Sequence, residues 1–150
     1  MSIQNKTNIN NDNCIIQWNC DGLYSHYEQF KRLITENNPY IVCLQETKFK
    51  CDHIPKIKNY KSYTKNLLSN TVAHGGVAIF VNENFHSEEV ILNTNLQAVA
   101  ITIFYPIKFT ISNLYLAGSE RLSLTNLSNI VDQLKHPFMI MGDFNSHNPL

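Results

Sequence analysis

The sequence predicts an α/β fold in which a mixed β-sheet is flanked by helices. Two observations support this prediction. A strand, an amphipathic helix and a second strand follow one another near the N-terminus, and the same order recurs towards the C-terminus. Between these two units lie strand-like segments joined by short asparagine-rich turns. Strand-helix-strand units give parallel neighbours and short links give antiparallel ones, so the sheet should be mixed.

The first unit begins with CIIQW, a short apolar run that predicts a strand ending at Asn19. In the following segment Ser25 and Glu28 have the spacing of a capping box, and Pro39 marks the end of the helix. The segment YIVCLQE then predicts a buried strand that ends at Glu46. We expect the helix to bury one apolar face, formed by Tyr27, Phe30, Leu33 and Ile34.

The strands between the two units are predicted near YKSYTK, GGVAIFV, EEVIL and LQAVAITIF. The second unit then starts with KFTISNLY, a strand that ends at Tyr115. Pro137 ends the next helix, and FMIMGD forms the last predicted strand, which leads to Asp143. The apolar face of this second helix should consist of Leu124, Leu127, Val131 and Leu134.

Length and composition indicate one domain without a membrane span. Residues 1–13 are polar and asparagine-rich, so we expect a disordered tail ahead of a domain over residues 14–150. No stretch approaches the ~20 apolar residues of a membrane span, and no hydrophobic signal run opens the chain. The four cysteines lack a paired zinc spacing. Reduced thiols in a soluble, intracellular protein are the simplest expectation.

The charges define one candidate surface for nucleic acid. The 12 basic and 12 acidic side chains cancel, so a nucleic-acid partner must meet a local patch. Between residues 48 and 65 six lysines face a single aspartate, a net charge of +5. Of these, Lys48, Lys50 and Lys56 are the candidate contacts to a DNA backbone. The alternative is a lysine-rich loop that only faces solvent.

Polar side chains stand at the ends of the predicted strands, where α/β sheets gather their ligands. These residues are Asn19, Glu46, Tyr115, Asp143 and Asn145. Taken one at a time, each has a structural explanation as a turn residue, a solvated strand terminus or a core ring. Their convergence at one edge would instead suit a hard cation and phosphate oxygens.

Phosphoryl chemistry assigns roles to these residues. Magnesium is bound by one or two carboxylates and keeps several waters, so Glu46 is suited to hold Mg²⁺ or Mn²⁺. Asp143 is suited to orient or deprotonate an attacking water. The neutral groups of Asn19, Tyr115 and Asn145 are suited to position a phosphate.

The same motifs resemble those of a known family. In chain order they are QWN with Asn19, LQET with Glu46, GGVAIFV, SNLY with Tyr115, and GDFNSHNP with Asp143 and Asn145. Together they resemble the endonuclease/exonuclease/phosphatase superfamily, and within it the apurinic-endonuclease-like domain of non-LTR (LINE-type, jockey-like) retrotransposons. The resemblance runs from about residue 14 to the last residue.

The resemblance implies the N-terminal part of a four-layer, DNase-I-like α/β sandwich. It also implies metal-dependent hydrolysis of a DNA phosphodiester, which nicks the target and leaves a 3′-hydroxyl. A downstream reverse transcriptase would extend that hydroxyl, and the family would act in the nucleus. Glu46 would hold the metal, Asp143 would align the water, and Asn19, Tyr115 and Asn145 would position the phosphate.

The resemblance also implies that catalytic residues of the family's second half, a further Asp and a Ser-Asp-His, are absent from this sequence. We therefore expect residues 1–150 alone to be inactive. In the resembled fold the second sheet comes largely from residues after GDFN, so the faces of IVCL, VAIFV and FMIM should lack a covering layer. Exposed faces of this kind would cause poor solubility or dimerisation.

Two other functions fit the same residues. One is a phosphatase of the same superfamily that acts on a small phosphate ester, because the motifs present belong to the shared chemistry. The other is a degenerate fragment without catalytic activity that binds nucleic acid weakly.

Overall fold

The computed structural model describes residues 14–50, 53–67, 74–118 and 123–145. The predicted disordered tail, residues 1–13, lies outside these ranges. A 3-10 helix at Leu23–His26 precedes the first α-helix. The strands and α-helices are β1 (Ile15–Asn19), α1 (Tyr27–Asn37), β2 (Ile41–Gln45), β3 (Tyr60–Lys65), β4 (Val77–Asn82), β5 (Ser87–Val90), β6 (Gln97–Ile103), β7 (Phe109–Tyr115), α2 (Leu124–Gln133) and β8 (Phe138–Asp143).

The strands form two four-stranded sheets, and each sheet is mixed. Sheet A has the order β1-β2-β4-β3, with β1 and β2 parallel and the other neighbours antiparallel. Sheet B has the order β5-β6-β7-β8, with β7 and β8 parallel. Each parallel pair flanks a helix, as the repeated strand-helix-strand units predict. The predicted α/β class with mixed strand pairing is confirmed.

Two packed sheets with a helix outside each of them give four layers. The helix α1 covers sheet A, where the rings of Phe30 and Phe80 meet edge to face at 5.3 Å. Between the sheets lies the main core, which includes Ile79, Ile101 and Ile111. The helix α2 covers the outer face of sheet B through Ile130 and Leu134, among other residues. The predicted four-layer sandwich is confirmed.

The source of the second sheet differs from the prediction. All four strands of sheet B lie within residues 87–143, and none of them follows the GDFN segment. Strands β2 and β4 are buried along their whole length, because sheet B covers one face and α1 the other. The prediction that IVCL and VAIFV lack a covering layer is therefore wrong. In FMIM, Met139 is 47% exposed, since β8 is an edge strand.

Two details of the helices also differ. The helix α1 starts at Tyr27, and its N-terminus has no side-chain cap because Ser25 belongs to the preceding 3-10 helix. The predicted capping box is therefore wrong. In α2 the first residue, Leu124, is 84% exposed. The buried face of α2 is instead built around Ile130, while Ser123 caps its N-terminus by accepting a hydrogen bond from the backbone N–H of Asn126.

Within the described residues, no helix has both the length and the apolar character that crossing a membrane requires. In the same part of the chain, the thiols of Cys14, Cys20 and Cys43 are all free.

Candidate phosphodiester site

The predicted site residues converge at one edge of the sandwich. Strands β1 and β2 run in parallel and end there together, with Asn19 beside Gln45. Strands β7 and β8 do the same in sheet B, with Tyr115 beside Asp143. The two sheets face each other, so the carboxyl ends of these four strands bring side chains from both sheets to one place.

Asn19 joins the two carboxylates of the site. Its Nδ2 donates one hydrogen bond to Oε1 of Glu46 and another to Oδ2 of Asp143, both 2.8 Å long. A single amide group therefore bridges sheets A and B. Without such a donor the two carboxylates would repel each other, because like charges are costly at short range outside bulk water. The bridge also leaves Oε2 of Glu46 and Oδ1 of Asp143 for other partners.

The loop that carries Glu46 is held by two glycines. Glu46 itself has a left-handed backbone conformation, with φ 53°. The following amides of Thr47 and Lys48 donate to the carbonyls of Gly76 and Gly75 at 3.2 and 2.9 Å. A Cβ on Gly75 would overlap the side chain of Gln97, whose Oε1 accepts from the N–H of Gly76 at 2.7 Å. Gly75 and Gly76 of GGVAIFV, although distant from Glu46 in the sequence, therefore hold the loop that carries this candidate metal ligand.

Asp143 is fixed by its neighbours on both sides. A Cβ on Gly142 would overlap the carbonyl of Leu114, so only glycine lets β8 approach β7 this closely. After Asp143, the backbone N–H of Asn145 donates to Oδ1 of Asp143 at 3.0 Å. The side chain of Asn145 in turn donates to the carbonyl of Leu116 at 2.7 Å. Asn145 therefore belongs to the site and orients the Asp143 carboxylate.

Tyr115 lies beside Asp143 but is largely enclosed. Its side chain is 7% exposed and belongs to the core between the sheets. Register neighbours in a parallel pair point to the same face of their sheet, so Tyr115 and Asp143 share the inner face of sheet B.

The three candidate lysines have different surroundings. Lys48 forms an ion pair with Asp21, and its Nζ also lies 4.0 Å from Oε2 of Glu46. The hydrogen bond between Lys48 and Asp21 lowers the pKa of Asp21 and raises the pKa of Lys48. Lys50 and Lys56 are exposed on the chain that follows. Lys48 thus lies beside Glu46, whereas Lys50 and Lys56 form no ion pair within the described residues.

A buried polar pair beneath the site has no counterpart in the sequence predictions. Asn113 and Gln45 are both fully buried, and Gln45 Nε2 donates to Asn113 Oδ1 at 2.5 Å. Asn113 Nδ2 also donates to the carbonyls of Leu44 and Ala78 at 2.8 and 2.9 Å. Both residues stand inside the motifs LQET and SNLY, next to the site residues. In the sequence, the only sign of this pair is a polar residue within each of two otherwise apolar strand segments.

The donor set fits a hard cation with few protein ligands. Glu46 and Asp143 supply two carboxylates, and no group of three or more His, Cys, Asp or Glu suited to a metal occurs among the described residues. Magnesium is commonly held by one or two carboxylates, with waters and substrate phosphates completing its shell.

Sequence comparison gives the family to which this fold and strand-end site belong. The family model described as "Endonuclease/Exonuclease/phosphatase family" matches residues 16–149. The chain belongs to this family, as its motifs predict.

A curated relative connects the chain with a mobile element. The chain is 25% identical over 137 residues to the "Probable RNA-directed DNA polymerase from transposon X-element" of Drosophila melanogaster. The alignment covers 88% of this chain and 15% of that protein. The chain therefore spans a small part of the relative.

Two solved structures share the fold. The endonuclease domain of TRAS1, a telomere-specific non-LTR retrotransposon, superposes with a TM-score of 0.69 at 14% identity, covering 89% of this chain and 61% of that one. The 3′-5′ exonuclease NExo from Neisseria meningitidis superposes with a TM-score of 0.65 at 23% identity, covering 87% and 57%. The chain spans about three fifths of the length of each.

Proposed function

We propose that this chain forms part of a metal-dependent endonuclease that nicks target DNA for a non-LTR retrotransposon. The observation that carries the proposal is the Asn19 amide bridging Glu46 and Asp143. A bridged carboxylate pair at the edge of two sheets suits the hydrolysis of a phosphodiester. The relationship to the X-element polymerase and the likeness to the TRAS1 endonuclease domain support DNA as the substrate.

Glu46 is the proposed ligand for Mg²⁺ or Mn²⁺, since its Oε2 is not used by Asn19. The bound ion would neutralise charge on the phosphate. The affinity of Glu46 for the ion depends on Lys48, because the Lys48 ammonium lies 4.0 Å from the same oxygen and would compete with a metal cation.

Asp143 orients and deprotonates the attacking water in this proposal. The hydrogen bonds from Asn19 and from the Asn145 backbone hold its carboxylate in one orientation. Asn145 and Tyr115 position the phosphate with neutral groups, which add no charge that would compete with the reaction. Asn19 acts through the two carboxylates, because both hydrogens of its amide are donated to Glu46 and Asp143. Beneath these residues, the hydrogen bond between Gln45 and Asn113 holds the two sheets in a fixed position relative to each other.

The proposed partners are DNA and a reverse transcriptase domain. Exposed Lys50 and Lys56 would contact DNA phosphates, with a contribution from Lys48. The nicked strand would supply the 3′-hydroxyl for a reverse transcriptase, and a reaction on chromosomal target DNA would take place in the nucleus.

Plasmid nicking tests the proposal. Because the chain spans about three fifths of the matched nuclease structures, the assay uses a chain extended with the downstream half of a complete relative. The 150-residue chain is assayed beside it. We expect nicking of supercoiled DNA with Mg²⁺ or Mn²⁺, and a loss of about 10²- to 10⁴-fold in Asp143→Asn, the usual contribution of a general acid or base. Asn84→Ala, an exposed turn residue far from the site, is the control.

Three outcomes would contradict the proposal. Nicking by Asp143→Asn at the unmutated rate would remove Asp143 from the chemistry. Release of phosphate from a small ester without any nicking would favour a phosphatase. DNA binding without hydrolysis in any extended chain would favour a non-catalytic module.

A further inference from the structure

A polar pocket lies on the same edge of the sandwich as the strand-end site. Its volume is about 200 Å³, and it is lined by Asn93, Thr94, Asn95, Leu96, Asn126 and Asn129. The first four residues form the link from β5 to β6, and the other two lie in the first turns of α2. Nothing in the proposed chemistry of Glu46 and Asp143 uses this pocket.

The topology places the pocket near Asp143. Strand β6 begins at Gln97, which is the register partner of Tyr115, and Tyr115 is the partner of Asp143. Two strand spacings therefore separate β6 from β8, which is roughly 10 Å at ~4.8 Å per strand. Successive nucleotides rise ~3.4 Å along a DNA strand, so the start of β6, where the loop of the pocket ends, lies within a few nucleotides of a strand bound at Asp143.

The loop that forms one wall is anchored from both sides. Gln133 on α2 accepts from the backbone N–H of Asn93 at 2.7 Å and donates to its carbonyl at 3.3 Å. From the other side, Lys65 Nζ donates to the carbonyls of Thr94 and Leu96 at 2.8 and 2.9 Å. A wall held in this way needs little ordering when a ligand binds.

Several amides in the pocket are available to a ligand. Within the described part of the chain, the side chains of Asn93, Asn95 and Asn126 make no hydrogen bond, whereas Asn129 bonds to Gln133. Each amide offers two donors and one acceptor oxygen. The pocket thus offers a ligand hydrogen-bond donors and acceptors that no other described residue uses.

The chemistry of the lining narrows the ligand class. None of the six described lining residues carries a charge, and the Lys65 ammonium behind the loop is committed to the carbonyls of Thr94 and Leu96, so a phosphate is not the favoured ligand. Pockets for drug-sized molecules occupy ~300–1,000 Å³, and this one suits a smaller group. An asparagine amide pairs with the edge of adenine, which offers the N6 donor beside the N7 acceptor.

We propose that this pocket binds one nucleobase, adenine in preference to the other bases, of a DNA strand held at the strand-end site. The inference rests on the proposed function only in taking DNA as the ligand of the site next to it. The pocket would then give the nuclease a base preference a few nucleotides from the cleaved phosphodiester, through neutral amides that the phosphate chemistry does not use.

Nucleoside titration tests the pocket without phosphate or cleavage. The ¹⁵N-labelled 150-residue chain is titrated with adenosine, and the side-chain amide signals are followed by NMR. We expect saturable shifts for Asn93, Asn95 and Asn126, smaller shifts with thymidine, and none with ribose. The double variant Asn95→Ala with Asn126→Ala should weaken adenosine binding at least about tenfold, while Asn84→Ala should leave it unchanged.

The results also separate this inference from the proposed function. Absent shifts with adenosine, shifts of equal size in the double variant, or shifts with ribose alone would overturn the nucleobase assignment. Adenosine binding in a chain whose extended form neither binds nor nicks DNA would leave the pocket a base site and overturn the link to a DNA strand. Nicking that depends on Asp143 but shows equal rates on adenine-rich and adenine-free strands would overturn the pocket's role and leave the nuclease standing.

Discussion

Gln45 donates a hydrogen bond to Asn113 from one sheet to the other, in a region where both side chains are fully buried. Asn113 extends from sheet B and also donates to two backbone carbonyls of sheet A. This contact lies directly beneath the strand ends that carry Asn19 and Asp143. The contact therefore fixes the spacing between the two sheets close to the candidate site.

We therefore expect Asn113→Ala to destabilise the fold by about 2–4 kcal/mol, because the change leaves a buried amide and two carbonyls without a partner and opens a small cavity. Chemical denaturation followed by circular dichroism measures the free energy of unfolding. Asn84→Ala removes an exposed amide of the same kind and should change it by less than about 0.5 kcal/mol. Equal stability of the two variants would mean that the buried pair does not hold the sheets together.

Removing the Glu46 carboxylate should weaken metal binding. Glu46→Gln keeps the shape of the side chain but removes its charge, so we expect Mn²⁺ affinity to fall at least about tenfold, or ~1.4 kcal/mol. Titration calorimetry on the 150-residue chain measures this without any cleavage. Glu83→Gln, an exposed turn residue, is the matched control. Unchanged affinity in Glu46→Gln would remove Glu46 as the metal ligand.

The lysine segment should contribute to the salt dependence of DNA binding. Each phosphate contact contributes a slope of ~0.9 in the logarithm of affinity against the logarithm of salt. We expect Lys50→Ala with Lys56→Ala to flatten the slope by up to ~1.8, and addition of Lys48→Ala to flatten it less than a free lysine would, because Asp21 already pairs with Lys48. Fluorescence anisotropy over a salt series gives the slope. Lys108→Ala, at the opposite end of the sandwich, should not alter it; identical slopes in all variants would return the segment to a solvated loop.

Alkaline pH should destabilise the fold through Cys43. Burial raises the pKa of this thiol to about 12, above the ordinary value near 9.0. Between these values the unfolded chain loses its proton and the folded chain keeps it, so stability is intact below pH ~9 and falls by up to ~1.4 kcal/mol per pH unit above it. Cys43→Val should flatten this fall in unfolding experiments from pH 8 to 11. Cys14→Val, at a half-buried position, serves as the control, and parallel curves for wild type and Cys43→Val would contradict the prediction.

Most of the fold could be predicted from the sequence because apolar periodicity reports which residues are buried. The strand segments FTISNLY and FMIMGD are strands in the structure, and Phe30 faces the core as the helical pattern requires. The capping box could not be predicted reliably, since the Ser25 and Glu28 spacing is the same whether residue 25 begins an α-helix or sits in a 3-10 turn. Leu124 was wrongly assigned to the buried face of α2, because an apolar residue in the first turn of a helix can lie beyond the edge of the sheet that the helix covers.

The position of the candidate residues at one edge could be predicted from the sequence, but their contacts could not. Asn19, Glu46, Asp143 and Asn145 stand at strand ends in the sequence, and strand ends meet at one edge. The bridge by Asn19 depends on how two sheets dock, and periodicity carries no information about docking. For the same reason sheet B was assigned to the wrong part of the chain, although its strands β5 to β8 were each predicted individually.

The Asn19 bridge also has a consequence for the order in which parts of the molecule fold. Its two acceptors lie 27 and 124 residues away along the chain. As the polypeptide leaves the ribosome, Asn19 and Glu46 emerge long before Asp143, and contacts of such high sequence separation are slow to form. Sheet A can assemble early, but the carboxylate pair exists only after β8 has docked beside β7. A nascent chain therefore lacks the assembled cluster of Glu46, Asn19 and Asp143 until β8 has docked.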